Sequence, residues 1–163
     1  MRDLHGTTFV CSWSGGKDAC LALRRAVAAG AVARALVCLA REDGATTLTH
    51  GLPVSLVQAQ ADSLGLPLDV RATSWHDYEL VWAHALQRQA EAGITAAVFG
   101  DLFIARHRRW EHRVCHGLGL LPLHPLWRES TRVLAEELFA THTTAVITCL
   151  LAEKLDLSYL GRE

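Results

Sequence analysis

The chain has 163 residues, 50% of them hydrophobic, and a formal net charge of -1. That is enough apolar material for one domain with a real core, which excludes a disordered or fibrous protein. The near-zero charge excludes an overall pull toward nucleic acid, a membrane surface or an acidic partner, so any such binding must be local.

In chain order, residues 1 to 6 carry charge and no apolar run, and no stretch reaches about 18 uncharged apolar residues. A protein that is neither exported nor membrane-bound is expected. Thr7 to Ser12 reads as a buried strand and Asp18 to Ala29 as a helix closed by Gly30. A strand over Ala33 to Ala40, a long polar loop over Arg41 to Gly51 and a helix over Val54 to Leu64 closed by Gly65 follow. Next come a strand at Pro67 to Ala72, a helix at Tyr78 to Glu91 closed by Gly93, and a strand at Ala96 to Gly100. A helix at Phe103 to Gly117, a short strand, a helix at Thr131 to Ala140 and a last strand at Thr144 to Leu150 complete the order. Alternating strands and helices, with strands apolar throughout, predict an α/β fold: a doubly wound, mostly parallel five-stranded sheet with helices on both faces. No linker or repeat divides residues 1–163, so one domain is expected. In such a sheet, ligands bind at loops beyond the carboxyl ends of the strands.

The five cysteines, Cys11, Cys20, Cys38, Cys115 and Cys149, are odd in number and lack any Cys-x-x-Cys spacing, which reads as reduced thiols of a cytoplasmic protein. Positive charge is written almost entirely as Arg, 14 residues against the lysines Lys17 and Lys154. Lys17 therefore asks for a local reason. It stands in Ser14, Gly15, Gly16, Lys17, Asp18, between the first strand and the first helix. There, backbone N–H groups and a helix N-terminus converge on a volume that attracts an anion. The glycines permit close approach, Ser14 offers a hydroxyl, Lys17 a point charge, and Asp18 fits the positive helix end. Neither a Walker A loop nor a Gly-x-Gly-x-x-Gly fingerprint fits: Cys11 occupies the first Walker glycine, Asp18 follows the lysine, and the glycines are adjacent.

The run resembles the pyrophosphate loop (PP-loop) of the N-type ATP pyrophosphatases, Ser-Gly-Gly-x-Asp-Ser, with Ala19 in place of the last Ser. The resemblance implies the adenine nucleotide alpha hydrolase-like (HUP) fold and ATP cleaved between the α and β phosphates. A second constellation narrows it: Gly100-Asp101-Leu102, an Arg-rich stretch from Arg106 to Arg113, Gly119-Leu120, and Pro125-Leu126-Trp127. With Thr49-His50-Gly51 and the final Leu-Gly-Arg, this is similar to the diphthine-ammonia ligase branch. That likeness implies an ATP-dependent enzyme that forms an acyl adenylate with Mg2+ and lets ammonia displace AMP to give an amide. The carboxylate acceptor, on a protein or free, is unidentified. Members of that branch continue past Leu-Gly-Arg with Cys-Gly-Glu and Gly-Glu-Phe motifs. This chain stops at Glu163, which implies an ATP half without that substrate segment.

On this reading Lys17 and Asp101 are catalytic, the latter also the Mg2+ ligand, and Ser14, Gly15, Gly16, Asp18, His50, Gly100 and Arg109 bind the nucleotide. His50 belongs to a loop that could close over it. Asp101 also reads as a helix cap, Trp127 as an apolar anchor, and most of Arg106, Arg108, Arg109 and Arg113 as solvated. Three alternatives stay open. A tRNA-modifying PP-loop enzyme would use the basic stretch Arg106 to Arg113, although nucleic acid is not the expected partner. A non-catalytic nucleotide-binding module would accommodate Ala19. A zinc site would use His112 and His116, which share a helix face near Cys115. A homodimer is among the open assemblies.

Overall fold

The computed structural model describes residues 3–163. The chain forms two compact units, Met1–Arg128 and Glu129–Glu163. The first holds the whole sheet: β1 (Thr8–Ser12), β2 (Val32–Ala40), β3 (Leu68–Ala72), β4 (Ala96–Val98) and β5 (Leu121–Leu123), in the order β3-β2-β1-β4-β5 and all parallel. Its helices are α1 (Lys17–Ala28), α2 (Val54–Leu64), α3 (Tyr78–Glu91) and α4 (Ala105–Gly117).

The order explains the burial. The chain winds from β1 outward to β3, returns to the other side of β1 and continues through β4 to β5, so right-handed crossovers set α1 and α2 on one face and α3 and α4 on the other. Central β1 is covered twice: Phe9 and Cys11 are 0% exposed, Val10 1%. One core gathers Val10, Val37 and Phe99 from the sheet with Trp82 and Leu86 of α3 and Trp110 and Cys115 of α4. On the opposite face α1 presents Ala19, Ala22 and Ala26, small enough for the helix to lie close to the strands. Burying a Leu or Phe side chain fully contributes about 1.5–3 kcal/mol, so this double-sided core is where the stability of the unit resides.

In the second unit α5 (Thr131–Ala140) is capped by Ser130, whose Oγ accepts from Val133 N at 3.4 Å. A 3-10 turn follows at Leu157–Tyr159. The strand expected over Thr144 to Leu150 does not form. Its β-branched residues have strand propensity, but propensity acts through neighbouring strands, and Ile147 finds only the backbone of Gly161 and Arg162. The fifth strand is instead Leu121–Leu123, paired to β4. All five cysteines are free; Cys11, Cys38 and Cys115 are buried, Cys20 is half-buried and Cys149 exposed. Burial raises the Cys38 thiol to about 11 and, with the charge of Glu111, the Cys115 thiol to about 12. Among the described residues no helix is long and apolar enough to cross a membrane.

Candidate functional site

The winding direction reverses between β1 and β4, and the crevice beyond their carboxyl ends is where such a sheet binds ligands. Ser14 to Asp18 leave β1 on one side of it, and Gly100 and Asp101 leave β4 on the other. The two sides touch. A Cβ on Gly100 would stand 2.9 Å from Ala19 N and 3.0 Å from the Asp18 carbonyl carbon, so only glycine lets the end of β4 reach the first turn of α1.

The loop's glycines are demanded by the protein behind it. Gly15 has φ +78, and a Cβ there would meet Leu52 Cδ1 at 3.0 Å and both Val57 Cγ2 and Gln60 Oε1 at 3.2 Å. Gly16 is the N-cap of α1 and receives no side-chain cap, so the first N–H groups of the helix keep their donors toward the crevice. Ser14 Oγ accepts from Gly16 N at 3.4 Å. Lys17 is exposed and its Nζ lies 3.0 Å from Asp18 Oδ2. Ala19, which stands where the loop it resembles has a hydroxyl residue, is buried.

His50 is brought to the loop: its Nε2 lies 3.0 Å from the position a Cβ on Gly16 would take. The segment that carries it is a folded excursion and not an open lid. Antiparallel bridges join Ala40 to Thr47 and Thr46 to Pro53. Thr47, 1% exposed, accepts from Leu52 N through its Oγ1 at 3.1 Å.

Across the crevice Asp101 Oδ1 accepts from His107 Nδ1 at 3.0 Å. Beneath it lie groups that the sequence did not single out. Glu111, 5% exposed, also meets the Asp101 carboxyl and reaches His124 Nε2 through its Oε2 at 2.5 Å. His124 stacks between Phe99, at 5.3 Å, and His112, at 5.2 Å. Burial, then the charge of Asp101, pushes the Glu111 carboxyl up to about 9; burial, then the charge of Arg108, pushes His124 down to about 4. Arg108 is the arginine of α4 that turns inward, its guanidinium 4.9 Å from the centre of the Trp127 ring. Trp127, read as an apolar anchor, is thus also a cation platform. Arg109 is exposed and stands outside this cluster. Its spacing from Arg106 and Arg113 makes one exposed stripe, with Arg113 3.6 Å from Glu79. A usable signal for Glu111 was its position one helical turn beyond His107 and three residues after Arg108, the period of a face turned to the sheet.

His112 and His116 have ring centres 5.8 Å apart. Among the described residues no three His, Cys, Asp or Glu side chains are grouped to hold a metal ion. A single hard carboxylate such as Asp101 still suits Mg2+, which takes most of its shell from phosphate oxygens and water. A small cavity of about 30 Å³ opens between Trp13, Ser14, Thr47, Tyr78 and Trp82 at the crevice. A larger one, about 670 Å³, lies at the strands' opposite end beside Arg34 and Arg88. Position at the carboxyl ends, not size, distinguishes the site.

The chain matches a solved structure of a predicted tRNA methyltransferase subunit from Methanocaldococcus jannaschii with a TM-score of 0.53 and 16% identity, over 80% of this chain and 75% of that one. At that identity the likeness is one of fold. No curated protein matches the chain. The family model described as the diphthamide synthase N-terminal domain matches residues 7–122, which span all five sheet strands but the last residue of β5 and both loops of the crevice, Ser14 to Asp18 and Gly100 to Asp101, but not His124 or Trp127. The chain belongs to the diphthamide synthase N-terminal domain family, an ATP-utilising family of the PP-loop class.

Proposed function

We propose that the chain is an AMP-forming enzyme that binds ATP at Ser14 to Asp18, activates a carboxylate as its adenylate and passes the acyl group to ammonia. The observation that carries this is the contact of the uncapped first turn of α1 with Gly100 at the end of β4. It sets the anion-binding loop and the carboxylate of Asp101 on the two lips of one crevice. In the reaction a carboxylate oxygen attacks the α-phosphorus, the α–β bond breaks and pyrophosphate leaves. Ammonia then attacks the acyl carbon, AMP departs with the bonding electrons, and a proton is lost from nitrogen.

The chain's own residues bind and neutralise. The N–H groups at the start of α1 donate to the phosphate tail, and Lys17 exchanges Asp18 for the charge that builds on the departing pyrophosphate. Fixed charge at such a position commonly contributes several kcal/mol. Asp101, steadied by His107 and Glu111, would hold Mg2+, which when bound neutralises phosphate charge. His50 flanks the loop at Gly16.

The deciding experiment follows pyrophosphate and orthophosphate with ATP, Mg2+ and ammonia over a pool of carboxylates. Pyrophosphate and AMP are expected, and Lys17→Ala should lose turnover at least a hundredfold while keeping its circular dichroism. Orthophosphate and ADP, or an unaffected Lys17→Ala, would sink the reading. A second reading, a tRNA-modifying enzyme, draws on the stripe of Arg106, Arg109 and Arg113 and on Trp75, 66% exposed near the start of α3. The structural neighbour described as a tRNA methyltransferase subunit agrees in name. Running the same assay with tRNA in place of the carboxylates separates the two.

A further inference from the structure

We infer that Gln60 of α2 is a positioning residue that clamps the phosphate loop from behind and ties it to Trp13. The inference rests on the proposed role of Ser14 to Asp18 and adds a residue outside the loop that makes it work. Three contacts carry it. Gln60 Nε2 donates to Gly15 O at 3.2 Å, Trp13 Nε1 donates to Gln60 Oε1 at 3.0 Å, and Gln60 Oε1 lies 3.2 Å from where a Cβ on Gly15 would be. One amide thus uses its donor and its acceptor on residues 13 and 15, on either side of Ser14.

The geometry requires an amide and not another polar group. A primary amide offers a donor and an acceptor from one planar head. Here the donor is spent on a carbonyl and the acceptor on an indole N–H, neither of which a carboxylate or an ammonium could serve together. The amide orientation follows from these two partners, since the reverse would set two donors and two acceptors against each other.

The mechanical consequence concerns which way the loop's peptide units face. Gly15 sits at φ +78, a conformation that glycine adopts without strain, so its contacts and not its own torsional preference fix the orientation of the peptide that follows. Holding the Gly15 carbonyl toward α2 turns the N–H of the same peptide unit, that of Gly16, away from α2, where Ser14 Oγ accepts it at 3.4 Å. Without the clamp the loop samples orientations in which its carbonyls face the phosphates, and binding must select the competent fraction. Trp13, 4% exposed, lines the small cavity beside the loop. Gln60 therefore fixes the phosphate loop relative to that wall of the crevice.

The test compares wild type with Gln60→Glu and Gln60→Met for affinity toward ATP, inorganic pyrophosphate and adenosine by calorimetry. Gln60→Glu is isosteric and keeps the acceptor for Trp13 while setting an oxygen against the Gly15 carbonyl. Gln60→Met keeps length and removes both bonds. Both variants should bind ATP and pyrophosphate about tenfold or more weakly, the effect of losing one well-placed hydrogen bond, while adenosine affinity is unchanged. Trp13→Phe combined with Gln60→Met should cost less than the sum of the two, because they share one network. A merely structural role would lower the melting temperature and weaken all three ligands alike, and that result would overturn the inference. Equal ATP affinity in wild type and Gln60→Glu would overturn it too, leaving the phosphate loop intact as a reading. Wild type that binds neither ATP nor pyrophosphate would remove the loop's proposed role and Gln60's with it.

Discussion

Glu111 and His124 form a pair whose environment forces them to share one proton. Both are nearly enclosed, their side chains 6% and 3% exposed, and each meets the other at 2.5 Å. With Glu111 raised to about 9 and His124 lowered to about 4, the folded pair carries one proton between those values. The unfolded chain carries two below about 4.5, one up to about 6.5 and none above. Stability falls with rising pH wherever the folded state holds more protons. The contribution of this pair is therefore flat between about 4.5 and 6.5 and declines from there to about 9. Below 4.5 it also declines, because the unfolded chain then takes up the extra proton. Urea unfolding at pH 6, 7.5 and 9 should show the alkaline decline in wild type, and Glu111→Gln should remove most of it. An unchanged slope in the variant would mean that another group carries the proton. At this scale the sequence was only partly legible. It pointed to His50, which does sit against Gly16, and chose Arg109, which is exposed while Arg108 turns inward. Four arginines in eight residues offer no sequence signal for which one meets Trp127, because that partner comes from beyond β5.

Between elements, the segment that leaves β4 fits closely against α1. A methyl group on Gly100 has nowhere to go, since its nearest neighbours are backbone atoms of Asp18 and Ala19 that cannot swing aside as a side chain would. Gly100→Ala should destabilise by about 1–3 kcal/mol and displace the first turn of α1. ATP affinity should drop with it. Gly117 is the control: it ends α4, a Cβ there meets nothing within 4 Å, and its φ is not positive. Gly117→Ala should be neutral or stabilising by about 0.5–1 kcal/mol. Thermal melts of both variants check the contrast, and equal melting temperatures would refute it. Most element bounds follow from local chemistry: α2, α3 and α5 span the ranges that periodicity and the capping glycines indicate. The strand expected at Thr144 to Leu150 failed for the complementary reason. A β-branched run becomes a strand only where another strand's edge is free to pair, and that is not encoded in the run itself.

Over the whole molecule, every residue assigned to the crevice lies in the first unit, which also holds the buried cluster of β1, β2, α3 and α4, while α5 of the second unit buries Leu134 and Leu138. The chain ended after Arg128 should therefore keep its circular dichroism and bind ATP within about threefold of the full chain. Folded protein with no ATP binding would show that residues 129–163 complete the site. The strand–helix alternation and the Ser-Gly-Gly-Lys-Asp turn were determined by the sequence alone, because hydrophobic period, capping and backbone freedom act within a few residues. The tertiary structure decided what stands behind and across from that turn. Strand order alone sets Gln60 at Gly15, Gly100 at Ala19 and His124 at Glu111. These partners lie 45, 81 and 13 positions apart, beyond the reach of any local pattern.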